Sequence, residues 1–139
     1  MKIMGIDYGR RRIGVAVTDE EGLIPRGLDV IDRQKKPDYT AELLRVIENE
    51  NPAAIVFGLP LNVHDEETEM SAEVRRFASI ISERANTPIH FADESYTSKR
   101  AAELMMHRKK KARRDKSLAD RIAACLIIQE FQKSVSPNI

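Results

Sequence analysis

One short apolar run limits the folds open to this chain more than any other feature. Residues 53–57 read Ala-Ala-Ile-Val-Phe without interruption, and the Gly-Leu-Pro of residues 58–60 ends the run. A strand with one face in water alternates apolar and polar residues, whereas a strand covered on both faces is continuously apolar. The run therefore predicts a central strand in a sheet with helices on both faces.

The segments on either side of this run supply the other predicted strands. Residues 2–7 form a short apolar run, residues 13–18 alternate, and a tight turn at residues 8–9 separates the two. A weaker strand is expected over residues 24–31 and a further one over residues 88–92. The first three strands can pair as an antiparallel meander, and the later ones require helical crossovers.

Four segments carry the spacing of amphipathic helices. The clearest stripe contains Met70, Val74, Phe77, Ala78 and Ile81. The others are a helix that follows Pro37, one with Thr97 as N-cap, and one over residues 117–132. The predicted fold is therefore an α/β domain with a five-stranded mixed sheet, three antiparallel leading strands plus two parallel ones, and helices on both faces.

Length and composition predict one soluble domain over residues 1–139. A chain of 139 residues fits a single domain, and the lone Cys125 excludes an internal disulfide. The first residues show no signal-peptide pattern, and no stretch approaches the roughly 20 apolar residues of a membrane helix. We therefore expect a cytoplasmic protein without a membrane partner.

The charges of the chain nearly cancel but are unevenly distributed. The formal net charge is +1, yet residues 99–116 hold nine basic and two acidic side chains, a local charge of +7 against −6 elsewhere. A second basic cluster occupies residues 10–12. One such run alone is typical of a solvated loop. Two runs beside acidic residues indicate a nucleic-acid partner, because Lys and Arg neutralise the phosphate backbone.

Four acidic residues lie where the pattern is otherwise apolar. Asp7 closes the first strand, Asp93 and Glu94 close the last strand, and Asp120 shares the apolar stripe of the final helix with Ala124. The carboxyl ends of parallel strands meet at one edge of a sheet, where ligands bind. Buried carboxylates are paired or coordinate metals, and their oxygens suit Mg²⁺ or Mn²⁺. The pattern therefore predicts a divalent-cation site.

Asp120 also has a purely structural interpretation. Its carboxylate requires a positive partner, and Arg121, Lys116 or Arg100 would supply an ordinary ion pair. The three histidines and Cys125 lack the spacing of a zinc site.

Four ordered motifs resemble one known family. They are Asp7-Tyr-Gly-Arg-Arg-Arg-Ile-Gly-Val-Ala16, Val56-Phe-Gly-Leu-Pro60, Val74-Arg-Arg-Phe-Ala78 and Asp120-Arg-Ile-Ala-Ala124 with its continuation to Phe131. In content and order they are similar to the YqgF-type, Holliday-junction-resolvase-like proteins of pre-16S rRNA processing, which belong to the ribonuclease H-like superfamily. The resemblance covers the chain from residue 2 to about residue 131.

The resemblance implies a ribonuclease H-like fold and a set of site residues. The catalytic acids fall on Asp7, Glu94 and Asp120, which would also bind two Mg²⁺ or Mn²⁺ ions, with Asp93 as a further candidate ligand. The family usually has an arginine where this chain has Ser95, and a nearby cation would take its role. The candidate substrate-binding residues are Gly9, Arg12, Lys99, Arg100, Lys109, Lys110 and Lys111.

Three functions follow as hypotheses. The first is a metal-dependent nuclease that hydrolyses phosphodiester bonds at the 5′ end of precursor 16S rRNA during ribosome biogenesis. The second is the resolution of four-way DNA junctions, which favours a symmetric dimer because two strands are cut. The third is a catalytically silent nucleic-acid-binding or ribosome-assembly protein. The chain itself is expected to be a monomer or a weak homodimer.

Overall fold

A computed structural model describes residues 1–94 and 116–135 of the chain. The strands are β1 (Ile3–Tyr8), β2 (Arg12–Thr18), β3 (Pro25–Gly27), β4 (Ile31–Asp32), β5 (Ala54–Leu59) and β6 (Ile89–Asp93). The helices are α1 (Tyr39–Glu50), α2 (Glu69–Arg84) and α3 (Lys116–Val135). The helix predicted to begin at Thr97 and most of the basic segment, residues 95–115, lie outside the described residues.

The strands form one mixed sheet in the order β3-β2-β1-β5-β6, and β4 also pairs with β2. The leading strands pair in antiparallel fashion around β2, whereas β1, β5 and β6 run parallel. Each parallel step is bridged by a helix, since α1 precedes β5 and α2 precedes β6. The predicted α/β architecture with a mixed sheet is confirmed.

The third strand differs from its prediction. The sequence predicts one strand over residues 24–31, but this segment forms the separate strands β3 and β4, so residues 1–94 and 116–135 contain six strands instead of five. Ala16 pairs with Gly27, whereas Ile13 pairs with Ile31. Between these two pairs the segment therefore contains one residue more than β2. An extra residue of this kind is a β-bulge, which interrupts the ladder.

The two faces of the sheet carry different cores. Alternate residues of β1, such as Met4 and Ile6, pack with the apolar sides of α1 and α2 in the larger core. Ile3 faces the other way and packs with α3 residues that include Ala124 and Ile127. Strand alternation therefore assigns every second residue to the α3 face, and Asp7 belongs to that set.

Helix α3 covers the centre of the sheet and contacts β1, β2, β3, β5 and β6. Its buried side chains include Ala124, which belongs to the predicted stripe, and also Ile127 and Phe131. Within residues 1–94 and 116–135 we find no helix whose length and apolar character would let it cross a membrane.

Candidate active site

The candidate site lies at the edge of the sheet where the parallel strands end. Asp7 is the penultimate residue of β1, and Glu94 follows the last residue of β6. The N–H of Glu94 donates to the carbonyl oxygen of Leu59 at 3.0 Å, which continues the β5–β6 pairing beyond β6. The amino-terminal end of antiparallel β2 reaches the same edge, because Asp7 pairs with Gly14.

Asp7 and Glu94 form a carboxyl pair in which Asp7 is half-buried and Glu94 is buried. Only 8% of Glu94 is exposed, and the two side chains share a hydrogen bond. Burial raises the pKa of Glu94 to about 9, and the negative charge of Asp7 adds to that shift. Burial also raises the pKa of Asp7, and the charge of Asp120 adds to it. At neutral pH Glu94 therefore keeps its proton and donates it in the hydrogen bond with Asp7.

Asp120 lies on the same face and forms an ion pair with Arg12. Nε of Arg12 donates to Oδ2 of Asp120 at 2.6 Å, and the two side chains are 26% and 22% exposed. Arg12 and Gly14 are two residues apart in β2, so both face α3. Of the partners expected from the sequence, Arg100 lies outside the described residues. Nε of Arg121 donates to the carbonyl oxygen of Ser117 instead.

Two glycines make room for this arrangement. A Cβ on Gly14 would lie 2.4 Å from the backbone carbonyl oxygen of Asp120, so only glycine lets α3 approach β2 here. A Cβ on Gly58 would overlap the carboxyl group of Glu94. The sequence motifs did not assign these glycines to the site, although a glycine inside a strand often marks a close approach of backbone or ligand.

The donor set fits a hard divalent cation. A buried and a half-buried carboxyl group are joined by a hydrogen bond, and the charge of a third carboxylate acts on Asp7. Such groups are oxygen donors that favour Mg²⁺ or Mn²⁺ and lose their proton when they bind a metal. Within residues 1–94 and 116–135, no three Asp, Glu, His or Cys side chains converge closely enough to chelate an ion as they stand. Oδ2 of Asp120 is bonded to Arg12, so Asp120 would have to leave this contact before that oxygen could bind an ion.

Two further predicted site residues, Asp93 and Gly9, do not share the environment of Asp7 and Glu94. Asp93 pairs in register with Leu59, which belongs to the core under α1 and α2, so strand alternation directs Asp93 away from α3. The N–H of Gly9 donates to the carbonyl oxygen of Arg12 at 3.0 Å, and its own carbonyl oxygen accepts from Arg33 at 2.8 Å. Both backbone groups of Gly9 are thus engaged within the protein.

Arg33 is a residue of this region that no sequence motif indicated. Its guanidinium lies 4.7 Å from the ring centres of both Tyr8 and Tyr39, and its backbone N–H donates to the carbonyl oxygen of Arg11 at 2.7 Å. Arg33 therefore fixes the β1–β2 turn that carries Arg12. The remaining predicted contacts lie outside the described residues: Lys99, Arg100, Lys109, Lys110 and Lys111.

Comparison with known protein families identifies the family of this chain. A family model described as "RuvX: Holliday junction resolvase" matches residues 1–134. The chain belongs to the RuvX family. This membership confirms the resemblance that the four motifs indicated.

Curated relatives of this RuvX-family chain match it over nearly their whole length. The relative from Chromobacterium violaceum is 40% identical over 126 residues, which cover 90% of this chain and 92% of that protein. The relative from Oleidesulfovibrio alaskensis is 37% identical over 131 residues, which cover 94% of this chain and 91% of that protein. Both carry the name "Putative pre-16S rRNA nuclease".

Solved structures match the RuvX-family chain in fold. Thermus thermophilus RuvC, in complex with a Holliday junction substrate, has a TM-score of 0.60 at 20% identity and covers 96% of each chain. The Fowlpox virus resolvase, solved with Holliday junction DNA, has a TM-score of 0.65 at 12% identity and covers 98% of this chain and 99% of that one. These neighbours confirm the predicted ribonuclease H-like fold.

Proposed function

We propose that this RuvX-family chain is a metal-dependent nuclease that hydrolyses phosphodiester bonds in precursor 16S rRNA, at the 5′ end and in the cytoplasm. One observation carries the proposal: half-buried Asp7 and buried Glu94 form a hydrogen-bonded carboxyl pair beside Asp120 at the end of the parallel strands. Burying acids together is costly unless they bind a cation. The names of the curated relatives support the substrate.

Each side chain of the site has a proposed role. Asp7, Glu94 and Asp120 would bind two Mg²⁺ or Mn²⁺ ions, and Asp93 is the weakest candidate because it faces the other side of the sheet. When bound, the ions would activate the attacking water and stabilise the leaving oxygen. Arg12 and the basic segment 99–116 would position the phosphate backbone through charge. The whole chain would act as one domain.

The second candidate function is cleavage of four-way DNA junctions. The description of the matching family favours it, and two of the solved neighbours contain junction DNA. This reaction requires two cuts related by symmetry and therefore a dimer, whereas end processing of a single RNA strand requires one site. The oligomeric state on each substrate separates the two functions.

The test is cleavage by purified protein in Mg²⁺ or Mn²⁺. The substrates are a precursor 16S rRNA 5′ fragment, a linear DNA duplex and a four-way junction of the same sequence. We expect site-specific cleavage of the RNA, and a loss of about 100-fold or more in Asp7→Asn, Glu94→Gln and Asp120→Asn, as for other metal-bound catalytic carboxylates.

Asp93→Asn is the matched control, because it removes the same charge beside Glu94 but from the opposite face of the strand. It should retain most of the activity. Preferred cleavage of the junction would replace the rRNA assignment with the second function. Nucleic-acid binding without cleavage of any substrate would support a catalytically silent binding protein.

A further inference from the structure

Arg12 occupies the oxygen of Asp120 that a cation would compete for. The contact is a charge-assisted hydrogen bond of 2.6 Å from Nε to Oδ2, with both side chains about one-quarter exposed. The backbone of α3 is fixed next to β2 at this point, because the carbonyl oxygen of Asp120 lies against Gly14. The two partners therefore meet without rearrangement of either element.

The charges of the site explain why such a contact is stabilising. The positively charged guanidinium of Arg12 lies against Oδ2 of Asp120 and offsets the negative charge of that carboxylate. A metal ion and a guanidinium seek the same carboxylate oxygens, so the two compete for Asp120. Arg12 is also partly exposed and follows two exposed arginines, Arg10 and Arg11, in the β1–β2 turn. A phosphate can therefore reach it.

We infer that Arg12 is a built-in counter-ion of Asp120, which must transfer to a substrate phosphate before Asp120 can ligate a metal ion. This inference rests on the proposed nuclease function. A bound phosphate draws Arg12 away from Asp120, and a bound metal ion releases Arg12 from the same carboxylate. Nucleic acid therefore raises the affinity for the metal, and the metal raises the affinity for nucleic acid by the same factor. Arg12 is thus a positioning residue that couples the loading of cation and substrate.

The first experiment measures Mn²⁺ binding by calorimetry in the absence of nucleic acid. We expect the weakest Mn²⁺ site of Arg12→Gln to have about tenfold higher affinity than the same site of the wild type, since a competing positive charge is removed. Arg11→Gln is the matched control, because it removes the same charge from the adjacent residue, whose guanidinium is 3.8 Å from Asp32 rather than Asp120. Equal affinities in the two variants would overturn the inference.

The second experiment measures the coupling itself. Anisotropy of a labelled RNA duplex is titrated with protein at several concentrations of Ca²⁺, which takes the same oxygen ligands. The wild type should bind RNA more tightly as Ca²⁺ rises, and Arg12→Gln should lose most of that dependence. A dependence that is unchanged in Arg12→Gln would contradict the proposed transfer of Arg12.

Two further comparisons keep the test decisive. Arg12→Lys keeps the charge but not the planar guanidinium, so its Mn²⁺ affinity should lie between those of the wild type and Arg12→Gln. The double variant Arg12→Gln/Asp120→Asn should lose the gain in affinity, because the released carboxylate is absent.

Neither Mn²⁺ affinity nor RNA anisotropy requires cleavage, so an inactive protein that shows the coupling would overturn only the nuclease proposal. An active nuclease without the coupling would overturn only this inference.

Discussion

Gly58 and Glu94 approach each other so closely that a Cβ on Gly58 would lie 2.6 Å from Oε2 of Glu94. The glycine of β5 thereby sets the position of a carboxyl group that belongs to the next strand of the sheet. The same Cβ would also lie 2.6 Å from Cδ1 of Ile127 in α3. Both contacts involve the ends of side chains, which can move at moderate cost.

The substitution Gly58→Ala should therefore reduce activity more than stability. Displacing Glu94 by a fraction of an ångström or more misaligns the candidate ligands, and we expect about a 100-fold loss of kcat. The free energy of unfolding should fall by only about 1 kcal/mol. Cleavage kinetics and thermal unfolding measure the two effects. Gly27→Ala is the control, because its Cβ would press on Arg121 instead. Equal losses of activity in both variants would contradict the role assigned to Gly58.

The substitution Gly14→Ala should lower stability more than Gly58→Ala does. Its Cβ would lie 2.4 Å from the backbone oxygen of Asp120, which cannot move unless α3 moves. We expect the free energy of unfolding to fall by about 1–3 kcal/mol, as in other overpacked cores. Thermal unfolding should show a melting temperature lower by roughly 3–10 °C. A melting temperature equal to that of the wild type would show that α3 can shift away from β2 at little cost.

The carboxyl pair predicts how stability depends on pH. The pKa of Glu94 is raised from 4.5 to about 9 in the folded protein, so the folded state binds more protons than the unfolded state between these values. The contribution of Glu94 to the free energy of unfolding is thus complete below its unfolded pKa and is lost as the pH rises toward about 9. Asp7, whose pKa is also raised, acts in the same direction.

Glu94→Gln should remove most of this dependence. Glutamine keeps a donor for Asp7 but cannot ionise, so the variant should melt roughly 3–6 °C above the wild type near pH 9, and closer to it near pH 5. Thermal unfolding across this range in a chelating buffer is the measurement, with Glu48→Gln, at an exposed position of α1, as the control for removing one negative charge. Parallel curves for Glu94→Gln and the wild type would mean that Glu94 titrates normally in the folded protein.

Arg33 should stabilise the folded protein by holding the β1–β2 turn in place. Arg33→Met keeps much of the packing between Tyr8 and Tyr39 but removes the bonds to Gly9 and to the Tyr39 hydroxyl, and we expect a loss of about 1–3 kcal/mol in unfolding free energy. The pKa of Tyr39 is lowered, chiefly by the hydrogen bond from Tyr8 and further by Arg33, so it should rise in the variant. Ultraviolet titration of the tyrosines detects this. An unchanged titration would show that Arg33 does not contact Tyr39 in solution.

The basic segment should control the salt dependence of nucleic-acid binding. Replacing Lys109, Lys110 and Lys111 by glutamine should lower the slope of log affinity against log salt by about 0.7–0.9 for each phosphate that the variant no longer neutralises. Anisotropy at several salt concentrations gives the slope, and Lys35→Gln/Lys36→Gln is the control for a general change in charge. An unchanged slope would mean that these three lysines are only solvated.

The sequence could locate the acids but not their partners. Apolar runs predict where strands end, which is why the sequence predicts Asp7 and Glu94 at one edge of the sheet. The Arg12–Asp120 contact joins residues 108 positions apart, and no local pattern encodes which of several arginines reaches an acid. The one-residue bulge between β3 and β4 was equally hidden, because strand propensity does not specify register. The proximity of Gly58 to Glu94 depends on packing between strands, which only the folded chain shows.

The position of Asp120 in the last helix has a consequence for biosynthesis. Chains fold from the amino terminus as they are made, so β1 to β6 can assemble while α3 is still being translated. Until α3 leaves the ribosome, the Asp7–Glu94 pair lacks both its third carboxylate and the helix that covers it. We expect a nascent chain to be unable to cut RNA until α3 has left the ribosome and packed on the sheet.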